Sequence, residues 1–354
     1  MSTPFFSIVL PVYGVEAYIA DALNDILEQT YPDWELIVVN DASPDGSAAI
    51  AQRFADEDAR IRVVHHKANQ GLSGARNTGI DAAVGSYVWI PDPDDRYEHS
   101  FLESVYASLQ ENPAPVVMVG HVEEFFSQKG ELRSVDFSLD DAAYASAGAM
   151  RPQVISYEQA TRYGYVWNKV YSRAFLQSLG IAFETVPLIE DIKFNVAVFQ
   201  NLVALNVVGA PMYHYAKREG ANLTNKFVPR YYELHHERVR LLYEQQKSWG
   251  LLNDETKAAL GGILARYVLS ALERNCEHQS GMNHAGRKQW CKECFADPLF
   301  CELIPCAQAN GLALKACLPL LQSKSAAAAL FAGRAIYFAK HLGGQLFAKL
   351  KATR

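Results

Sequence analysis

Four short apolar runs in the first 90 residues limit the fold more than any other feature of the chain. Residues 7–12 (Ser-Ile-Val-Leu-Pro-Val), 34–40 (Trp-Glu-Leu-Ile-Val-Val-Asn), 61–65 and 87–90 are rich in β-branched and aromatic residues. Helical stretches separate them. Val15, Ile19, Leu23 and Ile26 recur at helical spacing, and residues 47–59 and 71–83 read the same way. Short strands alternating with helices of this length predict βαβ units on a parallel sheet covered on both faces.

Farther along, residues 101–111 read as helix and 116–120 as a strand, and 123–151 as a hairpin plus a loop. Residues 166–171 are strand-like, and 173–179 form a short helix closed by Gly180. Glu190 and Asp191 open a helix on which Phe194, Val198 and Leu202 recur every four positions, and residues 203–208 and 212–215 read as two strands. From Tyr231 the pattern turns to helices with long connectors. This places a catalytic-type α/β domain at 1–230, with halves at about 1–120 and 121–230, and a helical extension at 231–354.

Bulk properties remove several function classes. A net charge of −6 over 354 residues gives no reason to expect nucleic acid as partner. No apolar run approaches a membrane span and no leader is visible, so the expected location is cytoplasmic. All six cysteines lie at or beyond Cys276, unlike a secreted disulfide framework. Cys291-Lys292-Glu293-Cys294 with His278 and His284 lacks the paired spacing of a zinc site and reads as inert thiols. Residues 325–354 carry five Lys/Arg and no acid, with Phe331, Phe338, Leu342 and Leu346 roughly on one face. Such an end suits either peripheral contact with an anionic membrane or packing on the body or a partner, although Lys349 and Gly343-Gly344 interrupt it.

Chemistry concentrates at the end of the fourth run. Asp92-Pro93-Asp94-Asp95 sets three carboxylates within four positions. Like charges that close repel by a few kcal/mol at an effective dielectric of about 20. Either the turn is well solvated or a cation, Mg²⁺ or Mn²⁺, is held there by oxygen ligands. Ligands of parallel sheets bind beyond the carboxyl ends of the strands, where this turn and two others fall. Asp41 follows the second run and suits either a base N–H or ribose hydroxyl, or capping of its own turn with Ser43. Arg76 lies near a helix start, where a cation calls for an anion: a nucleotide phosphate, or Asp41 or Asp92. After the first run there is Gly14 but no glycine triad, and no Gly-Lys-Ser/Thr appears, so no backbone phosphate cradle is expected.

Taken together these stretches have a known counterpart. Pro11-Val12-Tyr13, Val39-Asn40-Asp41-Ala42-Ser43, Gly71-Leu72-Ser73-Gly74-Ala75-Arg76-Asn77-Thr78-Gly79-Ile80 and Asp92-Pro93-Asp94-Asp95 resemble, in order and spacing, the motifs of family 2 glycosyltransferases. The resemblance covers about residues 5–220. It implies an α/β fold of GT-A type, a nucleotide-binding sheet covered by helices on both faces, here with a C-terminal helical extension. It implies metal-dependent, inverting transfer of a sugar from a nucleotide diphosphate, usually UDP.

The resemblance also assigns roles. Pro11 and Tyr13 line the nucleoside, Asp41 binds the base with Arg76 near it, Asp94 meets ribose or metal, and Asp95 meets the metal. Trp167, Asn168 and Lys169 match the acceptor-side motif, and in Glu190-Asp191 the aspartate is the general base. An inverting displacement needs such a carboxylate, because a sugar hydroxyl is a poor nucleophile. His214 and Arg218, in the segment 212–220, are candidates for a third metal or diphosphate contact. Gly14 stands where family members commonly have Asn, and Pro93 where they have Ser. The expected function is therefore transfer to a glycan or lipid-linked acceptor in cell-envelope or exopolysaccharide synthesis. The alternative is a nucleotide-sugar binding or scaffolding module without catalysis.

Overall fold

The computed structural model describes residues 3–127, 130–218 and 228–342. The chain divides into two compact units, residues 1–225 and 226–354.

In the first unit β1 (Phe6–Val12), α1 (Ile19–Leu27), β2 (Trp34–Asn40), α2 (Ser47–Glu57), β3 (Ile61–His65), α3 (Gly71–Ala82) and β4 (Tyr87–Trp89) alternate. Every residue of β1 is buried, as it must be in a strand covered on both faces. Strands β1 to β4 pair in parallel in the order β3-β2-β1-β4, so their carboxyl ends share one edge. Close packing of α3 on β1 depends on Gly79, where a Cβ would lie 2.1 Å from Val9 Cγ1.

The second half of the sheet departs from an all-parallel arrangement. β5 (Arg96–Tyr97) and α4 (Phe101–Glu111) lead into β6 (Val116–Ser127) and β7 (Gly130–Phe137), then β8 (Ala142–Tyr144), α5 (Ala147–Met150) and α6 (Val154–Gln159). β9 (Lys169–Ser172), α7 (Arg173–Leu179), α8 (Glu190–Gln200) and β10 (Leu205–Arg218) complete the unit. β9 enters antiparallel between β4 and β6. The two strands expected over 203–215 are one strand, β10, irregular between Val208 and Tyr213. Such an irregularity breaks the two-residue periodicity by which a continuous strand is recognised. Gly180 does close α7, in the left-handed conformation.

The second unit is helical: α9 (Tyr231–Ser248), α10 (Asp254–Arg274), α11 (His284–Ala296), α12 (Pro298–Leu303), α13 (Leu312–Gln322) and α14 (Ala326–Leu342). Asn253, Asn283 and Asp297 cap α10, α11 and α12 through side-chain oxygens. Cys291 and Cys294 are buried on α11, and burial pushes their thiols up to about 11 and about 12.

Candidate active site

The acidic turn after β4 is held by groups on β10 and β5. The Tyr213 hydroxyl on β10 donates to Asp95 Oδ2 at 2.7 Å and accepts from the Asp92 backbone N–H at 3.1 Å. Ala216 N–H donates to Asp95 Oδ1 at 2.8 Å, and the Tyr97 hydroxyl donates to the Asp92 carbonyl at 2.5 Å. Burial, then the charges of Asp94 and Asp92, push the Asp95 carboxyl well above its ordinary range. Burial also pushes Asp92 up to about 6 against the pull of Arg76, and raises Asp94 against the pull of Arg218. Arg218 Nη1 lies 3.6 Å from Asp94 Oδ2.

Arg76 ties this turn to the start of α8. Its side chain is 1% exposed, with Nη2 at 3.2 Å from Asp92 Oδ1 and Nη1 at 2.5 Å from Asp191 Oδ1. Of the counter-anions its helix position suggests, Asp92 is one it meets. Its second partner, Asp191, lies 115 positions away and is not one of them. Burial, then the Asp191 charge, pushes the neighbouring Glu190 up to about 7. Its Oε2 is buried without a hydrogen-bond partner. Leu188, just ahead of this pair, holds φ +66°, and Ala42, beside Asp41, holds φ +56°. Both lie in the left-handed region that costs a non-glycine residue of order 1–3 kcal/mol and tends to cluster at functional sites.

The other expected residues are placed as follows. Pro11 is buried in β1, and Tyr13 beyond it is 52% exposed. The Asp41 carboxylate accepts from the backbone N–H groups of Gln70 and Gly71, both at 2.8 Å, and meets His66 Nδ1 at 2.6 Å. With 2% exposure it anchors the entry to α3.

Trp167, Asn168 and Lys169 are buried, and in this structure they present no side chain to an acceptor. Lys169 Nζ donates to the carbonyls of Arg162 and Tyr163 at 3.0 Å and of Tyr165 at 2.5 Å. Asn168 Nδ2 donates to the Arg162 carbonyl at 3.1 Å. Trp167 stacks on Tyr213, with ring centroids 4.2 Å apart. These residues brace the 162–165 loop and the floor beneath the acidic turn.

His214 is engaged elsewhere than at Asp95. Its Nδ1 meets Glu124 Oε1 at 2.7 Å and its Nε2 meets Glu98 Oε1 at 2.9 Å. Successive side chains of a strand leave on opposite faces, so Tyr213 and His214 diverge. Residues 219–220 of the candidate segment lie outside the described residues.

Tyr97 and Tyr213 were not singled out from the sequence, although both make polar contacts to the acidic turn. The available signal was weak: Tyr97 follows Asp95 by two positions, and Tyr213 sits in an aromatic-rich strand.

The donor set fits a divalent cation in type. Asp92, Asp94 and Asp95 offer hard anionic oxygens; burial first, then the charges of Asp94 and Asp92, hold the Asp95 proton affinity high, and a cation would relieve the charge part. Among the described residues, no three such side chains already converge as a cage.

A mixed sheet, parallel across β1–β4 and extended by antiparallel pairings, with an acidic turn facing a second carboxylate pair, defines a GT-A fold. The model of glycosyl transferase family 2 matches residues 7–179 of the chain. The chain is 34% identical over 221 residues to the uncharacterized glycosyltransferase EpsJ of Bacillus subtilis (strain 168), covering 62% of each chain. It is 27% identical over 229 residues to the poly(ribitol-phosphate) beta-N-acetylglucosaminyltransferase TarS of Staphylococcus aureus (strain Mu50), covering 63% of this chain and 37% of TarS. The chain thus spans less than two thirds of these relatives' length. The crystal structure of S. aureus TarS 1–349 in complex with UDP-GlcNAc superposes with a TM-score of 0.62 at 20% identity, over 96% of this chain and 92% of that one. At that identity the likeness speaks for the fold.

Proposed function

We propose that this chain is an inverting glycosyltransferase that moves a sugar from a nucleotide diphosphate, with UDP the expected nucleotide, to a hydroxyl of a glycan or lipid-linked acceptor. Cell-envelope or exported polysaccharide synthesis is the expected setting, in keeping with relatives such as TarS. The observation that carries the reading is the double bridge of Arg76 to Asp92 and Asp191, which joins the acidic turn and the α8 carboxylates in one site.

In this reading Asp191, oriented by Arg76, takes the proton from the acceptor hydroxyl as its oxygen attacks the anomeric carbon. The bond from that carbon to the diphosphate breaks on the opposite face. Asp94 and Asp95 would hold Mg²⁺ or Mn²⁺, which when bound neutralises charge on the departing diphosphate. Tyr213 and Ala216 N–H fix Asp95 for that role. Tyr13 offers an exposed ring to the nucleoside.

A thermal-shift panel of UDP-, GDP- and TDP-sugars with and without Mn²⁺ tests the proposal, since a ligand of the native state raises the melting point by mass action. A Mn²⁺-dependent rise with a UDP-sugar is expected. No rise with any nucleotide sugar would overturn it, and a rise without turnover would favour the binding-module alternative.

A further inference from the structure

The last described helix carries an exposed apolar surface. One side of α14 packs within its own unit: Ala329 and Ala332 are buried, and a Cβ on Gly333 would come within 2.8 Å of the Leu272 backbone oxygen. The other side displays Phe331, 69% exposed, and Phe338, 55% exposed. Positions seven apart share a helix face, and Arg334 lies between them, also exposed. Two exposed phenylalanines flanking an arginine are unusual on a water-facing helix.

Charge indicates the occupant. All 39 acids of the chain precede Ser325, whereas residues 325–354 hold Arg334, Lys340, Lys349, Lys351 and Arg354. Lys340 is paired with Glu273 at 3.1 Å. Residues 343–354 lie outside the described residues and enter only through their sequence.

A second protein is a poorer fit than a lipid surface. Two phenylalanine side chains bury on the order of 150–250 Å² each, well short of the roughly 1,200 Å² of a stable protein interface. A bilayer surface sets no such minimum. It accepts aromatic side chains at the headgroup boundary, and each nearby Lys or Arg adds about 1 kcal/mol on an anionic leaflet. Among the described residues no helix is long and apolar enough to cross a membrane.

We propose that the Phe331–Arg334–Phe338 face of α14 docks this protein on an anionic lipid surface, lying on the bilayer and not spanning it. The inference is independent of the glycosyltransferase reading, because lipid binding is measured without donor or acceptor.

Flotation of the full chain with vesicles of phosphatidylcholine alone or with 30% phosphatidylglycerol (a mole fraction of roughly this size gives an anionic surface) tests it. Partition onto the anionic vesicles is expected, weakening as salt is raised. A double substitution Phe331→Ser and Phe338→Ser should weaken it roughly tenfold or more, because apolar burial is removed. Arg334→Gln should weaken it about fivefold. Both variants should keep the wild-type melting point, since the altered side chains face solvent. Equal binding to both vesicle types, no binding to either, or unchanged binding by the double variant would overturn the proposal. So would self-association in sedimentation velocity that the double substitution abolishes, because a second copy would then cover this face. If the double variant fails to fold, Arg334→Gln and the salt titration still decide.

Discussion

Arg76 and Asp191, 115 positions apart, meet at 2.5 Å inside a guanidinium site that also holds Asp92 at 3.2 Å. The buried cation thereby sets the distance between the turn after β4 and the start of α8. Removing one partner of a buried pair costs ~3–5 kcal/mol, because the remaining charges lose compensation. Arg76→Ala should therefore lower the denaturation midpoint markedly. Arg76→Lys should keep more stability but lose the fork that reaches two carboxylates at once. Chemical denaturation of both variants checks this, and unchanged midpoints would mean the bridge is incidental.

Glu190 predicts a pH dependence with a definite sign. Its carboxyl is pushed from 4.5 up to about 7, above its value in the unfolded chain. Its contribution to stability is thus full below about pH 4.5 and lost as pH rises through about 7. Ionisation also adds negative charge beside the site of proton transfer, so turnover should rise through the same window. Glu190→Gln should flatten both the melting-point and rate profiles near pH 7. Profiles that keep their shape would assign the titration to another group.

Lys169 separates a bracing role from an acceptor role. Its ammonium serves the carbonyls of Arg162, Tyr163 and Tyr165 and the Asn168 side chain, while burial pulls its pKa down to about 7. Each buried acceptor left unpaired costs ~1–3 kcal/mol, so Lys169→Ala should lower the melting temperature by several degrees or more. An unchanged melting temperature with a raised acceptor KM would restore the acceptor assignment.

Tyr213 holds Asp95 through one hydroxyl. Tyr213→Phe removes the bond to Asp95 and the acceptor for the Asp92 N–H, but keeps the ring that stacks on Trp167. Stability should fall by about 1–3 kcal/mol and cation-dependent nucleotide binding should weaken. Calorimetric titration of UDP with and without Mn²⁺ measures the second effect. Full affinity in the variant would show that Asp95 needs no such support.

Much of this architecture was legible in the residues. The β1–β4 half follows from runs whose apolar content is dictated by burial on both sides, and Asp92-Pro93-Asp94-Asp95 marks its own position by crowding charge. The second half was harder to read because its determinants are long-range. β9 reverses direction between β4 and β6, a pairing choice that no local pattern records. The irregularity in β10 split one strand into two apparent ones. Lys169 reads as part of an acceptor-side motif, because the carbonyls of Arg162, Tyr163 and Tyr165 that surround its ammonium are visible only in the fold. Tyr97 and Tyr213 do not stand out in the sequence, because a hydroxyl's partner becomes visible only once β5 and β10 pair.

Asp191→Asn is the variant that bears most directly on the proposed chemistry. Proton NMR of α-linked UDP-sugars incubated with the full chain and Mn²⁺ resolves the anomer released when water replaces the acceptor. The account predicts that the free sugar appears first as the β anomer, and that Asp191→Asn suppresses its release by roughly 100-fold or more while leaving UDP affinity unchanged. First appearance of the α anomer, or undiminished release by Asp191→Asn, would contradict it.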